Sequence, residues 1–572
     1  MRKFSHRYLV FAFLLVTTIA GTAFGVQYAL AAAEMQSIAA QPSVSPGTRF
    51  ASQELSLHTT NMQHVASLSD ADAQQDTPLL KPHLSTGADL DTQLLQQEAA
   101  KNQNIPVSRS PYANPVVTKQ STAEKHFSGL AQTCCQPPDV ALATSSQWVV
   151  EAVNRQVAIY TTNGKLQPGW PKSLTHFFGV PTPSCTKAPF VTAPRASYDA
   201  NEQRFWVVAL EDEGLTNTCP TKSLLWVAVS QTNNPNGNWH IYTFNMASNT
   251  TSVARFTQFA LDQQAIYFSA NMYSKSGKGP FQYSELFASL KDPLQAGRSN
   301  ITYYGFVGQT VNKQPVDTVQ PVQVQENKSA WLHGGLFVNS FNLHYGGGRC
   351  VQSCSGIVIW SLTHPGQPND VLTGTIVPSL KYALAPLANQ PGCTRCFARK
   401  SPPDTRISAT PIYHHGLLSF ALVTAINNQK NIVPGILWGQ IAPVLNDNGT
   451  IASATMYQNG YFHFANDEAA LFPSVAVNNA GDLFLLYDYT GSHFKPGTAV
   501  AMRRVTYKRG RFHDGGISVR TGDTSTVNPY WGNYTATSYA GPGTDRVWFA
   551  GQFSNTRHNW ATYIFFQAFQ AR

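Results

Sequence analysis

The pattern of hydrophobic positions separates a long region of short strands from a polar segment that precedes it. From about Phe127 to the C-terminus, short apolar and aromatic runs alternate with turns rich in Gly, Pro, Asn and Asp. Such alternation is typical of strands, because successive side chains of a strand face opposite sides of the sheet. No long stretch has the period of an amphipathic helix. The pattern therefore predicts an all-β fold.

The predicted strands recur as a two-strand unit. Each unit has a short strand, a turn, and a second strand that is more strongly apolar or aromatic. The pairs are Pro138–Ala141 with Trp148–Asn154, Pro194–Ser197 with Phe205–Glu211, Thr257–Ala260 with Ile266–Asn271, Pro321–Val324 with Gly335–Asn339, Arg406–Ala409 with Leu417–Leu422, Pro473–Ala476 with Leu483–Asp488, and Gly532–Thr535 with Val547–Gln552. A third, aromatic-rich strand follows most pairs.

About seven units of roughly 60 residues predict a β-propeller, which repeats four-stranded blades around a channel. A pair of β-sandwiches could hold these strands, but it would not explain why the two-strand signature recurs in phase. We therefore expect an approximately seven-bladed propeller in residues 126–572. The last unit has three strands, so a strand from between Asn114 and Phe127, such as Val116–Thr118, should complete its sheet.

The N-terminus has the features of an export signal. Arg2, Lys3 and Arg7 precede the uncharged apolar run Tyr8–Val26, and small residues that follow offer cleavage sites. The run approaches the roughly 20 residues that span a bilayer. We therefore expect residues 1–33 to be a signal peptide or an uncleaved membrane anchor. Either outcome predicts an extracellular protein, secreted or tethered to the cell surface by this segment.

Residues 34–125 have a different composition from the rest of the chain. Gln, Ser, Thr, Ala and Pro dominate, and the only aromatic residues are Phe50 and Tyr112. Such a segment buries too little apolar surface to offset the entropy lost on ordering. We expect a mostly disordered spacer between the export segment and the propeller.

All eight cysteines lie after this spacer. An oxidising compartment favours disulfides, although sequence alone does not select a connectivity. Pairings that fit the spacing are Cys350–Cys354, Cys393–Cys396 and Cys185–Cys219. The alternative is a zinc site with four thiolate ligands from the two close pairs, which this compartment disfavours.

Charge and motifs narrow the function classes. The net charge of +9 is diluted over 572 residues, so we expect no nucleic-acid partner. The motifs His-Glu-x-x-His and Gly-x-Ser-x-Gly are absent. The pair His414–His415 has no third ligand at metal spacing, and we expect it to lie in a turn. We predict no cofactor and no assignable metal site; calcium held by loop carbonyls would leave no sequence signal.

Polar residues at the strand ends form the candidate ligand site. In a propeller, the first strand of each blade begins and the second ends at the same face, around the mouth of the channel. The candidate residues are Asp139, Asn154, Arg195, Glu211, Gln258, Asn271, Arg406, Asp488, Asn533 and Gln552. One explanation is structural, because solvent wets strand ends and Asn and Asp favour turns. The other is a mouth whose arginines and carboxamides bind a carboxylate or a sugar.

Several motifs resemble those of exported bacterial β-propeller proteins of uncharacterised function. The motifs are Pro137–Asp139, Val149–Asn154, Pro194–Arg195, Arg204–Trp206 and Trp531–Tyr534. The resemblance spans about Cys134 to Gln570 and is strongest in the first two units and the last. It implies a propeller fold and an extracellular location, and it carries no activity. Members of the group often have Asp where this chain has Asn533.

These observations favour an extracellular binding or scaffold propeller without assignable catalysis. Its expected ligands are glycans, cell-wall fragments or proteins bound at the channel mouth, and its only expected membrane contact is the N-terminal segment. The alternative is a sialidase-like glycoside hydrolase or lyase acting on an anionic sugar, because sialidases share the architecture and hold a carboxylate with clustered arginines. In that alternative Arg195 and Arg406 are required for turnover.

Overall fold

The computed structural model describes the chain in segments between Ser43 and Ala568. The described residues are 43–53, 55–68, 125–181, 191–212, 223–246, 252–274, 281–326, 334–341, 353–399, 403–428, 431–512, 515–528, 530–539, 541 and 546–568. The predicted export segment, residues 1–33, and the candidate closing strand Val116–Thr118 lie outside them. Within these segments, no helix is long and apolar enough to cross a membrane.

Antiparallel sheets make up most of the described structure, so the all-β prediction is confirmed. Seven sheets of four or five strands occur among the described residues. In spatial order, sheet 1 contains Ala141–Thr144, Trp148–Val153, Gln156–Thr161 and Lys172–Ser173. Sheet 2 contains Val191–Asp199, Arg204–Asp212, Ser223–Ser230, Asn238–Asn245 and Leu55–Asn61. Sheet 3 contains Ser252–Leu261, Ala265–Ser274, Phe281–Leu290, Tyr303–Val307 and Thr48–Ser52.

The remaining large sheets follow in chain order. Sheet 4 contains Gln320–Pro321, Gly335–Ser340, Ile357–Thr363 and Val371–Val377. Sheet 5 contains Gln323–Val324, Ile412–His414, Leu417–Asn427, Ile432–Leu445 and Ile451–Phe462, and its first two strands are parallel. Sheet 6 contains Ala469–Val477, Leu483–Gly491, Phe494–Arg503 and Ile517–Arg520. Sheet 7 contains Ala536–Tyr539, Val547–Ser554, Trp560–Gln567 and Lys125–Ala131.

Smaller elements accompany these sheets. One small sheet contains Val44–Ser45, Thr310–Val311 and Gln314–Pro315, and another contains Ala388–Gln390 and Cys393–Phe397. Short α-helices span Leu174–Phe178 and Lys291–Gln295, and a 3₁₀ helix spans Met62–His64.

The sheets contact one another in a closed cycle that runs from sheet 1 through sheet 7 and back to sheet 1; the contacts are between inner strands except between sheets 4 and 5, whose outer strands contact. The chain itself links sheets 4 and 5, because Gln320–Pro321 and Gln323–Val324 are almost consecutive. Buried apolar side chains fill the spaces between neighbouring sheets; Trp206 of sheet 2 and Phe268 of sheet 3 belong to one such cluster. Packing faces of twisted sheets around a ring buries apolar area without leaving open faces. The described structure is therefore β-propeller-like.

A strand from upstream of sheet 1 completes sheet 7. Lys125–Ala131 pairs antiparallel with Trp560–Gln567, so the predicted closure by an upstream strand is confirmed. This strand begins later in the chain than the favoured candidate Val116–Thr118. Two apolar side chains explain why this segment packs against the ring of sheets: Leu130 is buried, and the ring of Phe127 lies 5.2 Å from that of Tyr160.

Two strands of the expected spacer lie on outer sheet edges. Leu55–Asn61 pairs with Asn238–Asn245, and Thr48–Ser52 pairs with Tyr303–Val307. The prediction of disorder is therefore wrong for the described part of this segment. An exposed sheet edge offers backbone hydrogen-bonding groups to any extended segment, so pairing needs few apolar side chains. Met62, which follows these strands, is only 1% exposed.

The first strands are preceded or interrupted by a recurrent backbone kink. Six non-glycine residues with positive φ lie in the corresponding place of their sheets: Asp139, Ala193, Phe256, Thr318, Phe472 and Asn533. In sheets 2, 3 and 6 the kink coincides with a shift in strand register. Because a kink of this kind tolerates many residue types, it repeats in the backbone more clearly than in the sequence.

Four predicted first strands are misplaced. Pro321–Val324 is divided between sheets 4 and 5. In the other three units the strand begins after the predicted start, at Ala141 in sheet 1, Ile412 in sheet 5 and Ala536 in sheet 7. As a consequence Asp139, Arg406 and Asn533 lie in loops. The Asp and the Asn have positive φ, and each strand begins two or three residues after them. The loop before Ile412 is held by Asp404, which accepts from the Arg406 backbone N–H at 2.9 Å.

The described cysteines form disulfides. Cys393 pairs with Cys396 as one predicted pairing requires, and the neighbours Cys134 and Cys135 pair with each other, which the sequence interpretation did not consider. Cys354 is also disulfide-bonded. The zinc alternative is therefore disfavoured, because three of its four cysteines, Cys354, Cys393 and Cys396, are disulfide-bonded. The predicted partners Cys185, Cys219 and Cys350 lie outside the described residues.

Candidate functional site

A cavity of about 130 Å³, here called the mouth cavity, lies beside the kinks that precede the inner strands. Of the side chains predicted from the sequence, it is lined by Asp139, Asn154, Arg195, Gln258, Arg406 and Asn533. These residues come from different sheets, and the closed cycle of inner strands brings them together. Six of the ten residues predicted at strand ends therefore line one cavity.

Asp139 connects the last sheet to the first. Its Oδ1 accepts a hydrogen bond from the amide of Asn533 at 2.7 Å, and its Oδ2 accepts one from Asn154 at 2.8 Å. Burial raises the pKa of Asp139 to about 7, although the two amide hydrogen bonds and the positive charge of Arg195 oppose the shift. The mouth cavity thus contains a carboxyl group that titrates near neutral pH.

Asn154 connects sheet 1 to sheet 2. Its Nδ2 donates to Pro137 O at 2.6 Å as well as to Asp139. Its Oδ1 accepts from the Thr192 hydroxyl at 2.7 Å and the Ala193 N–H at 2.9 Å. A carboxamide has two donor hydrogens and two acceptor positions. All four are used, so Asn154 has a structural role at this boundary.

Hydrogen bonds that involve at least one side chain cross every boundary between neighbouring sheets, and we call these pairs the boundary clasps. In ring order from sheet 7 they are Asn533–Asp139, Asn154–Thr192, Arg195–Gln258, Asn271–Thr318, Gln320–Ser408, His415–Asn479 and Ser474–Thr535. Buried polar groups must be paired to avoid a desolvation penalty. Much of the polarity predicted at the strand ends therefore holds the ring together.

Arg195 is buried between the mouth cavity and the rest of the channel. Its guanidinium lies 3.4 Å from the centroid of the Tyr534 ring. It also donates to Gln258 Oε1, to Thr257 O at 3.3 Å and to Ser408 O at 3.2 Å. Burial lowers its pKa, and interactions with Tyr534 and Asp139 counteract that effect. An arginine in this setting fixes the cavity wall and supplies positive charge.

Arg406 lies on the loop that precedes the strand Ile412–His414 of sheet 5. Its Nε donates to Asp404 Oδ2 at 2.7 Å, and the same carboxylate pairs with its Nη2. The guanidinium also lies 4.2 Å from the centroid of the Phe256 ring. Its side chain is 17% exposed, so a ligand in the mouth cavity can reach it.

Several lining residues were not predicted from the sequence. They are Arg255, Phe256, Asp404, Phe472 and Tyr534. Tyr534 belongs to the Trp531–Tyr534 motif, which is the one signal that could have identified it. The others lie in kinks or loops whose geometry the sequence does not reveal. With Arg255 included, three guanidinium groups and two carboxyl groups line this cavity.

The four other predicted residues lie behind the cavity wall. Glu211 accepts from Trp226 Nε1 at 2.5 Å, and Asn271 is bonded to Thr318. Asp488 accepts from Trp531 Nε1 at 3.0 Å, while Gln552 Nε2 donates to Tyr534 O at 3.1 Å. Burial raises the pKa of Asp488 to about 8. These side chains support the wall and do not line the mouth cavity.

The arrangement is suited to binding. Aromatic rings from Phe256, Phe472 and Tyr534 provide flat apolar surfaces, and the arginines add positive charge. A nucleophile is not evident: the Tyr534 hydroxyl donates to Pro194 O at 3.1 Å, and burial raises its pKa. Asp404 is committed to Arg406. No group of three His, Cys, Asp or Glu residues suited to a metal ion occurs in the described segments.

Comparisons with known proteins give only distant matches. No protein-family model and no curated protein matches the chain. Among solved structures, the Hadza microbial sialidase Hz136 is 10% identical, with a TM-score of 0.33, over 75% of this chain and 74% of its own. An endo-arabinase from Bacteroides thetaiotaomicron VPI-5482 is 10% identical, with a TM-score of 0.29, over 68% of this chain and 100% of its own.

A third solved structure is 1,3Gal43A, an exo-β-1,3-galactanase from Clostridium thermocellum. It is 8% identical, with a TM-score of 0.29, over 67% of this chain and 86% of its own. Similarity at this level assigns neither an activity nor a ligand to the chain.

Proposed function

We propose that the protein is an extracellular, seven-bladed β-propeller that binds a carboxylate-bearing sugar in the mouth cavity without turning it over. The observation that carries the proposal is the convergence of Arg195, Arg255 and Arg406 on one cavity with aromatic walls. Guanidinium groups pair with carboxylates through charge-assisted hydrogen bonds, and aromatic faces suit the apolar faces of sugar rings.

The charge balance of the cavity favours an anionic ligand over a neutral one. Three arginines face two acids, of which Asp404 is paired with Arg406. Asp139 accepts two amide hydrogen bonds, and its pKa is raised to about 7, so its negative charge is reduced near neutral pH. A ligand carboxylate would restore the balance of charge in a partly buried site.

The export segment, residues 1–33, supports the extracellular part of the proposal, and uronic acids are sugars of the required chemistry. Titration calorimetry at low salt with glucuronate, and with glucose as the neutral control, tests the ligand class. We expect glucuronate to bind and glucose not to bind. Absence of glucuronate binding, or equal binding of both sugars, would refute the proposed ligand class.

Two arginine substitutions locate the binding site. We expect Arg406→Gln to weaken glucuronate binding at least tenfold, because it removes a charge that lines the cavity. The matched control is Arg557→Gln, which removes the same charge at an exposed position away from the cavity. Equal affinity of both variants would place the ligand elsewhere.

A turnover assay distinguishes the sialidase-like alternative from a protein that binds the sugar without turning it over. The observation in its favour is the arginine cluster together with an acid, Asp139, whose pKa is about 7. We expect no release of fluorophore from a fluorogenic sialoside that is supplied at a concentration saturating the protein. Turnover abolished by Arg406→Ala but not by Arg557→Ala would establish the enzyme instead.

A further inference from the structure

A second cavity, of about 210 Å³, lies along the channel on the other side of Arg195, and we call it the channel cavity. Inner-strand residues of six sheets contribute to it, among them Leu142, Ser197, Phe259, Ile412 and Ser474. None of the proposed sugar-binding residues except Arg195 lines it. It is therefore a separate space with chemistry of its own.

The charge in the channel cavity comes mainly from Glu326. The Arg195 guanidinium is bonded to Gln258 and Ser408, which line the mouth cavity. Asp199 lines the channel cavity but forms a buried ion pair with Lys291. Glu326 has no ion-pair partner among the described residues except His414, at 3.8 Å. The cavity therefore presents one negative charge that no cation of the described chain neutralises.

Strand pairing brings Glu326 next to His414. Gln323–Val324 runs parallel to Ile412–Tyr413, and the Gln325 N–H donates to Tyr413 O at 2.9 Å. This register continues for one residue beyond the short strand and places Glu326 beside the end of Ile412–His414. Parallel pairing of segments that are about 90 residues apart in the chain is a tertiary feature, so the sequence alone did not suggest it.

His414 is buried in this cavity without a hydrogen-bond partner. Its side chain is 7% exposed, and neither ring nitrogen has a partner among the described residues. The distance of 3.8 Å from Nδ1 to Glu326 Oε1 is too long for a hydrogen bond. The adjacent His415 is engaged, since its Nε2 lies 2.9 Å from Asn479 O. A buried polar group normally has a partner, so this arrangement points to a ligand.

Burial and the neighbouring His415 lower the pKa of His414 to about 4. At neutral pH its ring is therefore uncharged and has one nitrogen that accepts a hydrogen bond. The Glu326 carboxylate provides a second, negatively charged acceptor. An atom about 2.9 Å from each can lie between acceptors that are 3.8 Å apart. The group required is one cationic centre with at least two N–H donors.

We propose that the channel cavity binds a primary ammonium group held between the Glu326 carboxylate and a ring nitrogen of His414. A metal ion is the poorer fit, because the described residues supply no set of three ligands at this place. A primary ammonium brings three donors and one positive charge, which match the acceptors and the unneutralised carboxylate.

Propylammonium chloride is the probe for primary ammonium binding, which is measured at pH 7 by saturation-transfer NMR on the full chain. We expect saturable binding that sodium chloride at the same ionic strength does not reproduce. Glu326→Gln keeps the shape and removes the charge, and it should weaken binding at least tenfold. The matched control Asp447→Asn removes one negative charge from an exposed turn and should change affinity less than twofold.

A second variant tests the histidine. His414→Phe keeps a ring of similar size and removes both nitrogens, and it should also weaken binding at least tenfold. Thermal unfolding of each variant confirms that it is folded. Absence of saturable propylammonium binding, or equal binding by Glu326→Gln and Asp447→Asn, would overturn the proposal.

Two further probes distinguish two natural sources of a primary ammonium group. Glucosamine represents an amino sugar, and Nα-acetyl-lysine amide represents a peptide side chain; N-acetylglucosamine, which lacks the ammonium, is the control for the first. We expect at least one ammonium probe to compete with propylammonium, and the control not to compete. Competition by N-acetylglucosamine would contradict the ammonium chemistry.

Arg406→Gln should leave propylammonium binding unchanged, so the outcome is independent of the mouth cavity.

Discussion

At the scale of single residues, the strand-end polarity that suggested a binding site serves mainly to join neighbouring sheets. Asn154 is the clearest case, because its carboxamide uses all of its donors and acceptors. Its amide nitrogen donates to Pro137 and Asp139, in the loop before sheet 1. Its oxygen accepts from Thr192 and Ala193 of sheet 2. Asp139 adds the boundary with sheet 7 through Asn533. The ligand site therefore depends on arginines and aromatic rings that stand on a frame of amide hydrogen bonds.

Asn154→Ala should destabilise the protein strongly for a single polar substitution. It removes the hydrogen bonds of Asn154 to Asp139 Oδ2 and to the Thr192 hydroxyl, and unsatisfied buried groups cost roughly 1–3 kcal/mol. Asn300→Ala, at an exposed position, is the control and should change the free energy of unfolding by less than about 0.5 kcal/mol. Urea unfolding measures both, and equal stability of the two variants would show that the clasp contributes little.

Three buried carboxyl groups with raised pKa values predict that the free energy of unfolding decreases as the pH rises. Burial raises the pKa of Asp139 and Glu151 to about 7 and that of Asp488 to about 8. Each group binds its proton more tightly in the folded chain than in the unfolded one. The free energy of unfolding should therefore fall as the pH rises from about 4 to about 8.

Urea unfolding at several pH values across this window measures that dependence. Asp488→Asn removes one of these three carboxyl groups and should make the fall with pH less steep. A free energy of unfolding that rises with pH across the window, or an unchanged slope in the variant, would contradict the assignment of raised pKa values.

At the scale of elements, the edges of the sheets are covered by segments from the N-terminal part of the chain. Leu55–Asn61 and Thr48–Ser52 extend sheets 2 and 3, and Lys125–Ala131 completes sheet 7. Unpaired edges invite aggregation, so covering them contributes to solubility as well as stability. Removing the first two segments should therefore have a smaller effect than removing the third, which closes the ring.

Met62→Ala tests whether the N-terminal strands are docked in solution. Met62 is 1% exposed and packs in a cluster that includes Phe177 and Trp239. Truncation of a buried Met to Ala costs roughly 2–5 kcal/mol. We expect a lower melting temperature in scanning calorimetry. An unchanged melting temperature would indicate that this segment is a disordered spacer in solution.

Truncation tests the closing strand. A chain that starts at Lys101 keeps Lys125–Ala131, and a chain that starts at Cys134 lacks it, while both lack the other N-terminal strands. The shorter chain should melt at a lower temperature and less cooperatively, because sheet 7 loses the strand that pairs with Trp560–Gln567. Equal melting of the two chains would contradict closure by this strand.

Sequence patterns predicted the strand pairs well where apolar runs are long and buried, as in Phe205–Glu211 and Leu483–Asp488. They failed at Arg406–Ala409, which is a loop, because four residues of moderate polarity carry no reliable strand signal. They also failed for Leu55–Asn61, since edge pairing uses backbone groups that every sequence has. The proximity of Glu326 to His414 depends on pairing between distant segments and has no local signal.

At the scale of the whole molecule, a ring of sheets encloses two chemically different cavities. The mouth cavity is lined by three arginines, whereas the channel cavity contains the unneutralised carboxylate of Glu326. Arg195 lines both and separates them. Ligands of opposite charge are therefore expected at the two places, and the boundary clasps keep both cavities in shape.

A crystal structure of the protein with glucuronate tests sugar binding in the mouth cavity directly. We expect an intact sugar in the mouth cavity, with its carboxylate within about 3 Å of nitrogen atoms from at least one of Arg195, Arg255 and Arg406. Glucuronate bound elsewhere, with the mouth cavity unaltered, would show that this cavity is not the sugar site.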